Sequence, residues 1–116
     1  METLIEVNKK EEEGIIIFEF SWELDETNAD KTFKSIYDDI WDFVWKKIIF
    51  NLSGLKYLNS KSIGYIADVY SKIEENDGKM YISNCDEGVK DVLELVGITT
   101  IIPTVDLEKE ALDEMK

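Results

Sequence analysis

The chain of 116 residues is 44% apolar and carries a net charge of −13, with no histidine, no arginine and a single cysteine. One domain with one core is the expectation at this length, and an acidic surface lacking the guanidinium fork disfavours nucleic acid as a partner. The missing histidine removes the usual general base near neutral pH, the Ser-His and Cys-His nucleophile pairs and most zinc sites.

Thr3 to Val7, a charged turn at Lys9 to Glu13, Gly14 and the run Ile15 to Phe20 predict two strands joined by a hairpin, because β-branched residues fit a pleated surface and glycine suits the turn. Ile15 to Phe18 is apolar on both faces, which places the second strand inside the sheet. Thr27 followed by Asp30 resembles a capping box, and Phe33, Ile36, Tyr37, Ile40, Trp41 and Val44 then fall at spacings of three and four. That pattern predicts an amphipathic helix with Trp41 in its core-facing stripe.

Ile48, Ile49, Phe50 and Leu52 predict a third strand ended by Ser53-Gly54. A second helix carries Ile63, Ile66, Ala67, Tyr70 and Ile73 and stops near Asn76-Asp77-Gly78, where glycine can take the left-handed cap conformation. Met80, Tyr81 and Ile82 make a short fourth strand, after which Asn84 or Asp86 can cap a third helix bearing Val89, Val92, Leu93 and Val96. Gly97 closes that helix, Ile98 to Ile102 predict a fifth strand ended by Pro103, and a short acidic helix runs from Asp106 to about Met115. The order β-β-α-β-α-β-α-β-α predicts an α/β fold with a mixed, mostly parallel sheet of about five strands, an antiparallel first strand and four helices. Neither a repeat nor a linker interrupts residues 1–116, so a single domain is expected.

No apolar run approaches the ~20 residues of a membrane span, and acidic Glu2 with the short Leu4–Val7 run does not make a signal peptide. With the lone Cys85, which suits a reducing compartment, this predicts a cytoplasmic protein. Missing motifs narrow the chemistry further. There is no G-x-x-x-x-G-K-[ST], no G-x-G-x-x-G and no C-x-x-C, which disfavours a P-loop, a dinucleotide site and a thioredoxin centre. A phosphoacceptor receiver domain would want an aspartate at the end of the third strand, where this chain has Asn51. The acidic clusters at Glu11–Glu13, Asp38–Asp39, Glu74–Glu75 and Glu108–Glu114 match no calcium loop and read as a solvated face. Neither cofactor nor metal is expected.

The informative segment is the strand-to-helix junction Leu58-Asn59-Ser60-Lys61-Ser62-Ile63-Gly64. Asparagine and serine at a helix start accept hydrogen bonds from free backbone N–H groups, and the same groups are receptive to an added phosphate. From these residues alone, a simple cap and a functional loop both fit.

Taken from Ile48 to Leu112, the chain resembles the STAS domain of bacterial anti-sigma factor antagonists. In that family a strand similar to Ile48–Leu52 leads to Asp-Ser-[Ser/Thr/Ala]-Gly-Leu-Gly at a helix start, and here Asn59-Ser60-Lys61-Ser62-Ile63-Gly64 stands at that place. Asp77–Met80, Val92–Ile98, Glu110–Leu112 and Glu23-Leu24-Asp25, with Trp22 in place of a glycine, extend the likeness over nearly the whole chain. The resemblance implies a non-enzymatic switch that binds an anti-sigma factor, often a serine kinase of the GHKL type, and that is blocked by phosphorylation of the residue after the motif's first serine.

Here that residue is Lys61, which cannot accept a phosphoryl group from a serine/threonine kinase. Its charge opposes the helix dipole by only about 0.3–1 kcal/mol, a cost the fold can absorb. Three readings follow: Ser60 or Ser62 is a displaced phosphosite, the domain binds without phosphorylation control, or it is a STAS-like scaffold or small-ligand sensor. The second is the reading adopted, with an anti-sigma factor or GHKL-type serine kinase as partner. Its candidate contact surface is Asn59, Ser60, Lys61, Ser62 and Gly64 together with Trp22, Glu23 and Asp25. Trp22 sits near that loop, where it reads as either a surface anchor or a core residue. Cys85 reads as a half-buried structural thiol. A flavodoxin-like enzyme, with a deep pocket of converging charges at the carboxyl ends of its strands, is the competing class.

Overall fold

A computed structural model describes residues 3–116, so Glu2, used above to argue against a signal peptide, lies outside the described residues. The elements are β1 (Ile5–Glu12), β2 (Ile15–Leu24), α1 (Ala29–Ile40), β3 (Lys47–Leu58), α2 (Ser60–Glu75), β4 (Lys79–Ser83), α3 (Glu87–Leu95), a 3-10 turn (Ile98–Thr100), β5 (Thr104–Val105) and α4 (Glu108–Met115). The strands lie in the order β1-β2-β3-β4-β5, with β1 antiparallel to β2 and the remaining pairs parallel. This is the α/β arrangement expected from the alternation of elements, with β2 inside the sheet.

One face of the sheet, built on Phe18 and Phe20 of β2, Ile48 and Phe50 of β3 and Met80 and Ile82 of β4, is covered by Phe33 and Ile36 of α1, Ile66 and Val69 of α2 and Leu93 of α3. Each fully buried isoleucine or phenylalanine contributes roughly 1.5–3 kcal/mol, so this layer supplies most of the fold's driving force. On the other face Ile15, Ile17 and Ile49 pack under Ala111 and Met115 of α4, with Leu112, Val105 and Tyr81 at the margin. That helix is fastened at its start by Glu108, whose carboxylate meets Lys10 Nζ at 3.1 Å and accepts from Asn51 Nδ2 at 2.9 Å.

Several expectations are corrected. The Lys9–Glu13 charge run lies mostly in β1, and only Glu13 and Gly14 form the turn. Thr27 and Asp30 form no capping box: the Thr27 hydroxyl donates to Asp25 at 2.7 Å, and Asn28 occupies the N-cap without a side-chain bond to the helix. Helix α1 ends at Ile40, so Trp41 and Val44 leave the stripe and stand in solvent. Asp38 and Asp39 in the last turn, with no basic residue there, oppose the helix dipole and disfavour another turn. Trp41 instead takes φ 58°, ψ −63°, a sparsely populated positive-φ conformation that costs a non-glycine residue on the order of 1–3 kcal/mol.

Strand β3 does not stop at Ser53-Gly54. It runs on to Leu58 with two register shifts against β2, one between Glu19 and Ser21 and one between Trp22 and Glu23. Gly54 lets the strands close up at the first, since a Cβ there would lie 2.3 Å from Ser21 Oγ and 2.9 Å from Phe20 O. At the end of α2 the left-handed residue is Asp77 rather than Gly78, whose Cβ would strike Lys46 O at 2.4 Å. Asp86, not Asn84, is the N-cap of α3, again without a side-chain bond. The predicted strand Ile98–Ile102 is a 3-10 turn whose Ile98 and Ile102 plug the core, and the fifth strand follows Pro103. A short apolar run has no periodicity of its own, and proline with its missing N–H fits just before a strand.

Candidate functional site

Strands β2 and β3 finish side by side, with Leu24 paired to Leu58, and the Asn59 N–H then donates to Leu24 O at 3.1 Å. This bond joins the loop that enters α1 to the junction that enters α2, so the two segments singled out in the sequence form one rim. Asn59 has extended backbone and caps α2: its Oδ1 accepts from Ser62 N at 3.0 Å and from Ser62 Oγ at 2.7 Å. Such a cap stabilises a helix by about 1 kcal/mol.

The Asn59–Gly64 residues divide by exposure. Ser62 is fully buried with its hydroxyl donated to Asn59, whereas Ser60, Lys61 and Gly64 face solvent. An open depression is lined by Glu26, Asn59, Ser60 and Lys61. Lys61 Nζ meets the Asp30 carboxylate at 2.9 Å, and the Tyr65 hydroxyl donates to the same carboxylate. Tyr65 in turn stacks on Phe33 with ring centroids 4.8 Å apart and planes 7° from parallel. The first turns of α1 and α2 are thus tied through Asp30. The Tyr65 hydroxyl and the Lys61 ammonium hold the Asp30 carboxyl below the usual carboxylate range, while the hydrogen bond to Asp30 raises Lys61. A Cβ built on Gly64 would meet nothing within 4 Å, so the free chain has no packing reason for glycine at this exposed helical position.

In the α1 entry loop the Asp25 carboxylate accepts from Thr27 N at 2.9 Å and from the Thr27 hydroxyl, which together with Thr3 lowers its pKa. Asp25 is therefore engaged in shaping its own turn. Asn28 completes the loop: it is buried, donates from Nδ2 to Thr3 O and Glu23 O at 2.9 Å each, and accepts from Asp25 N at 3.1 Å. Sequence reasoning assigned no role to Asn28, although an asparagine directly before an apolar-periodic run is a recognisable start signal. Glu23 is exposed, and Trp22, beside the second register shift, has φ 84° and is 48% exposed, which puts it on the rim's surface.

Away from the rim, a cleft of about 140 Å3 is lined by Cys85, Lys90, Glu94, Thr99, Thr104, Val105 and Asp106. It is smaller than the roughly 300–1,000 Å3 typical of ligand pockets. Cys85 in its wall is half-buried, and burial pushes its thiol up to about 11. Among the described residues no group of three or more acidic or cysteine side chains converges as metal ligands, and no helix is long and apolar enough to cross a membrane.

The profile of the STAS domain matches residues 6–111. An anti-sigma F factor antagonist of Paenibacillus polymyxa is 25% identical over 112 residues, covering 97% of this chain and 96% of the relative. Among solved structures, an anti-sigma factor antagonist from Mycobacterium paratuberculosis superposes with a TM-score of 0.85 at 18% identity, over 97% of this chain and 94% of the other. The anti-sigma factor antagonist SpoIIAA in its unphosphorylated form superposes with a TM-score of 0.75 at 18% identity, over 94% and 95% of the two chains. These two structural likenesses concern the fold.

Proposed function

Because this chain belongs to the STAS domain family, we propose that it is a non-enzymatic docking module of the anti-sigma factor antagonist type, binding an anti-sigma factor or a GHKL-type serine kinase without phosphorylation control at the usual motif position. The relative named as an anti-sigma F factor antagonist supports the class of partner. The contact surface is the rim: Asn59, Ser60, Lys61 and Gly64 at the head of α2, with Trp22 and Glu23 across from them, while Asp25 and Ser62 hold the two loops in shape.

The observation that carries this reading is the Lys61–Asp30 ion pair at the motif position. A kinase has no hydroxyl to modify there, and the ammonium is already engaged with a carboxylate from the neighbouring helix. Ser62, one of the two serines that flank Lys61, donates its hydroxyl to Asn59 from a buried position. Ser60 keeps an exposed hydroxyl, so phosphate on it is the outcome that distinguishes the readings. Gly64 adds support: an exposed helical glycine costs about 0.8–1 kcal/mol relative to alanine, which makes sense where a partner's backbone comes close.

The test is calorimetric titration against an anti-sigma factor or GHKL kinase encoded beside the gene. Lys61→Glu puts two carboxylates together at the rim and is expected to weaken binding at least tenfold while leaving the melting temperature nearly unchanged. Equal binding by the variant removes this rim from the interface. Incubation of the wild-type chain with the kinase and ATP is expected to leave it unmodified; stoichiometric phosphate on Ser60 overturns the phosphorylation-independent reading.

A further inference from the structure

The chain has three tryptophans, and all three stand at positive φ: Trp22 at 84°, Trp41 at 58° and Trp45 at 57°. Trp22 belongs to the rim. Trp41 and Trp45 lie in the connection from α1 to β3, about 18 Å away along the 12 residues of α1 and at the opposite end of β3. They are 85% and 75% exposed, and Val44 between them is exposed too.

This loop is fixed rather than loose. The Asp42 N–H donates to Ile40 O at 2.6 Å, which makes Trp41 the centre of a γ-turn of the rare, strained kind. Asp42 Oδ1 accepts from Val44 N at 3.0 Å, and the Trp45 N–H donates to Asn76 O at 2.9 Å, tying the loop to the end of α2. Phe43 is turned inward against Tyr37, with ring centroids 6.1 Å apart. The free protein therefore bears backbone strain and leaves two indoles in water, and neither belongs to the apolar core. Strain of this sort concentrates at functional positions, and contiguous exposed apolar surface marks interaction sites.

Charge selects the partner. The last turn of α1 holds Asp38 and Asp39 and no basic residue, Asp42 follows, and the carboxy-terminal carbonyls of the helix add negative potential. Lys34 pairs with Asp38 on the open surface at 3.3 Å, while Lys46 and Lys47 are half-buried as β3 begins. Indole faces beside carboxylates attract ammonium and guanidinium groups. A net charge of −13 works against an anionic bilayer and against a second copy of the chain.

We propose that the Trp41–Trp45 loop is a second docking surface, taking a cationic, partly apolar segment of a protein partner against its two indoles at the acidic end of α1. The surface is separate from the rim, so the domain can hold two partners at once.

The experiment titrates the full chain with a short synthetic peptide of arginine and leucine, with its glutamate-leucine counterpart and with vesicles of phosphatidylcholine or phosphatidylglycerol, following the indole N–H signals by NMR. The arginine peptide is expected to shift the Trp41 and Trp45 signals, to bind at least tenfold less tightly to W41A/W45A, and to weaken with added salt. Unmoved indoles, equal binding by the double variant, a preference for the glutamate peptide or for vesicles, or concentration-dependent self-association through this loop would each overturn the proposal. A second variant separates binding from folding: Trp41→Gly relieves the positive-φ strain and is expected to raise the melting temperature by roughly 4 °C while weakening the peptide. A lower melting temperature assigns Trp41 a structural role and overturns it as well.

Discussion

The two ends of α1 are built on opposite terms. At the start, the polar side chains of Asp25, Thr27, Asn28 and Asp30 are spent on shaping the rim, and Asn59 closes it from the other side. At the finish, the backbone is strained and the largest side chains stand free. Asn28 and Asn59, which hold the rim through buried and capping bonds, are also structural, so changing them disturbs stability and binding together, whereas the exposed Lys61 contributes little to the fold. The tryptophan loop separates the two, because its indoles are not needed by the core.

The sharpest way to break that contrast is Asn28→Ala. It removes the partner of Thr3 O, Glu23 O and Asp25 N at once, with an expected loss of about 3 kcal/mol and a fall in melting temperature of more than about 10 °C. A loss under about 1 kcal/mol in denaturant titration would mean that the rim's polar side chains matter as little to stability as the exposed indoles.

Asn59→Ala is the next largest. It takes the acceptor from the Ser62 N–H and from a buried hydroxyl, for an expected cost of about 1–2 kcal/mol, whereas Asn59→Asp keeps both bonds and adds a charge the helix start favours. Chemical denaturation of the pair should therefore separate them; equal losses would show that the cap does not hold the junction.

The smallest effect is on pH dependence. The Asp30 carboxyl is depressed in the fold, so its contribution is complete above the ordinary value of 3.8 and is lost as pH falls through the depressed one. Melting temperatures measured from neutral pH downward should then decline less steeply below 3.8 in Asp30→Asn than in the parent. Parallel curves would show that the link between α1 and α2 contributes nothing.

The alternation of apolar periods made the sheet and its four helices legible, because periods of 2 and 3.6 report directly which side of an element is buried. Ile15–Phe18, apolar throughout, marked an interior strand, and Asn59 before Ser60 marked a helix start. The pattern misled where tertiary geometry overrode it. Trp41 continues the spacing of Phe33, Ile36 and Ile40, yet the acidic last turn ends the helix one residue earlier. Ser53-Gly54 looks like a stop, but in β3 it serves a register shift that only the neighbouring strand reveals. At the rim, the cap at Asn59 could be read from local sequence, whereas Lys61 and Tyr65 reach Asp30 from 31 and 35 residues away, and no local rule pairs residues at that distance.

The lone helix over the second face of the sheet has a consequence for synthesis. Ile15, Ile17 and Ile49 emerge from the ribosome early, and their cover, α4, follows all five strands. A nascent chain stalled before Glu108 would carry a greasy stripe with nothing to hide it, the kind of surface that chaperones grip and that sticks to its own kind. Once α4 arrives, the single carboxylate of Glu108, reaching Lys10 on one strand and Asn51 on another, latches it across the sheet.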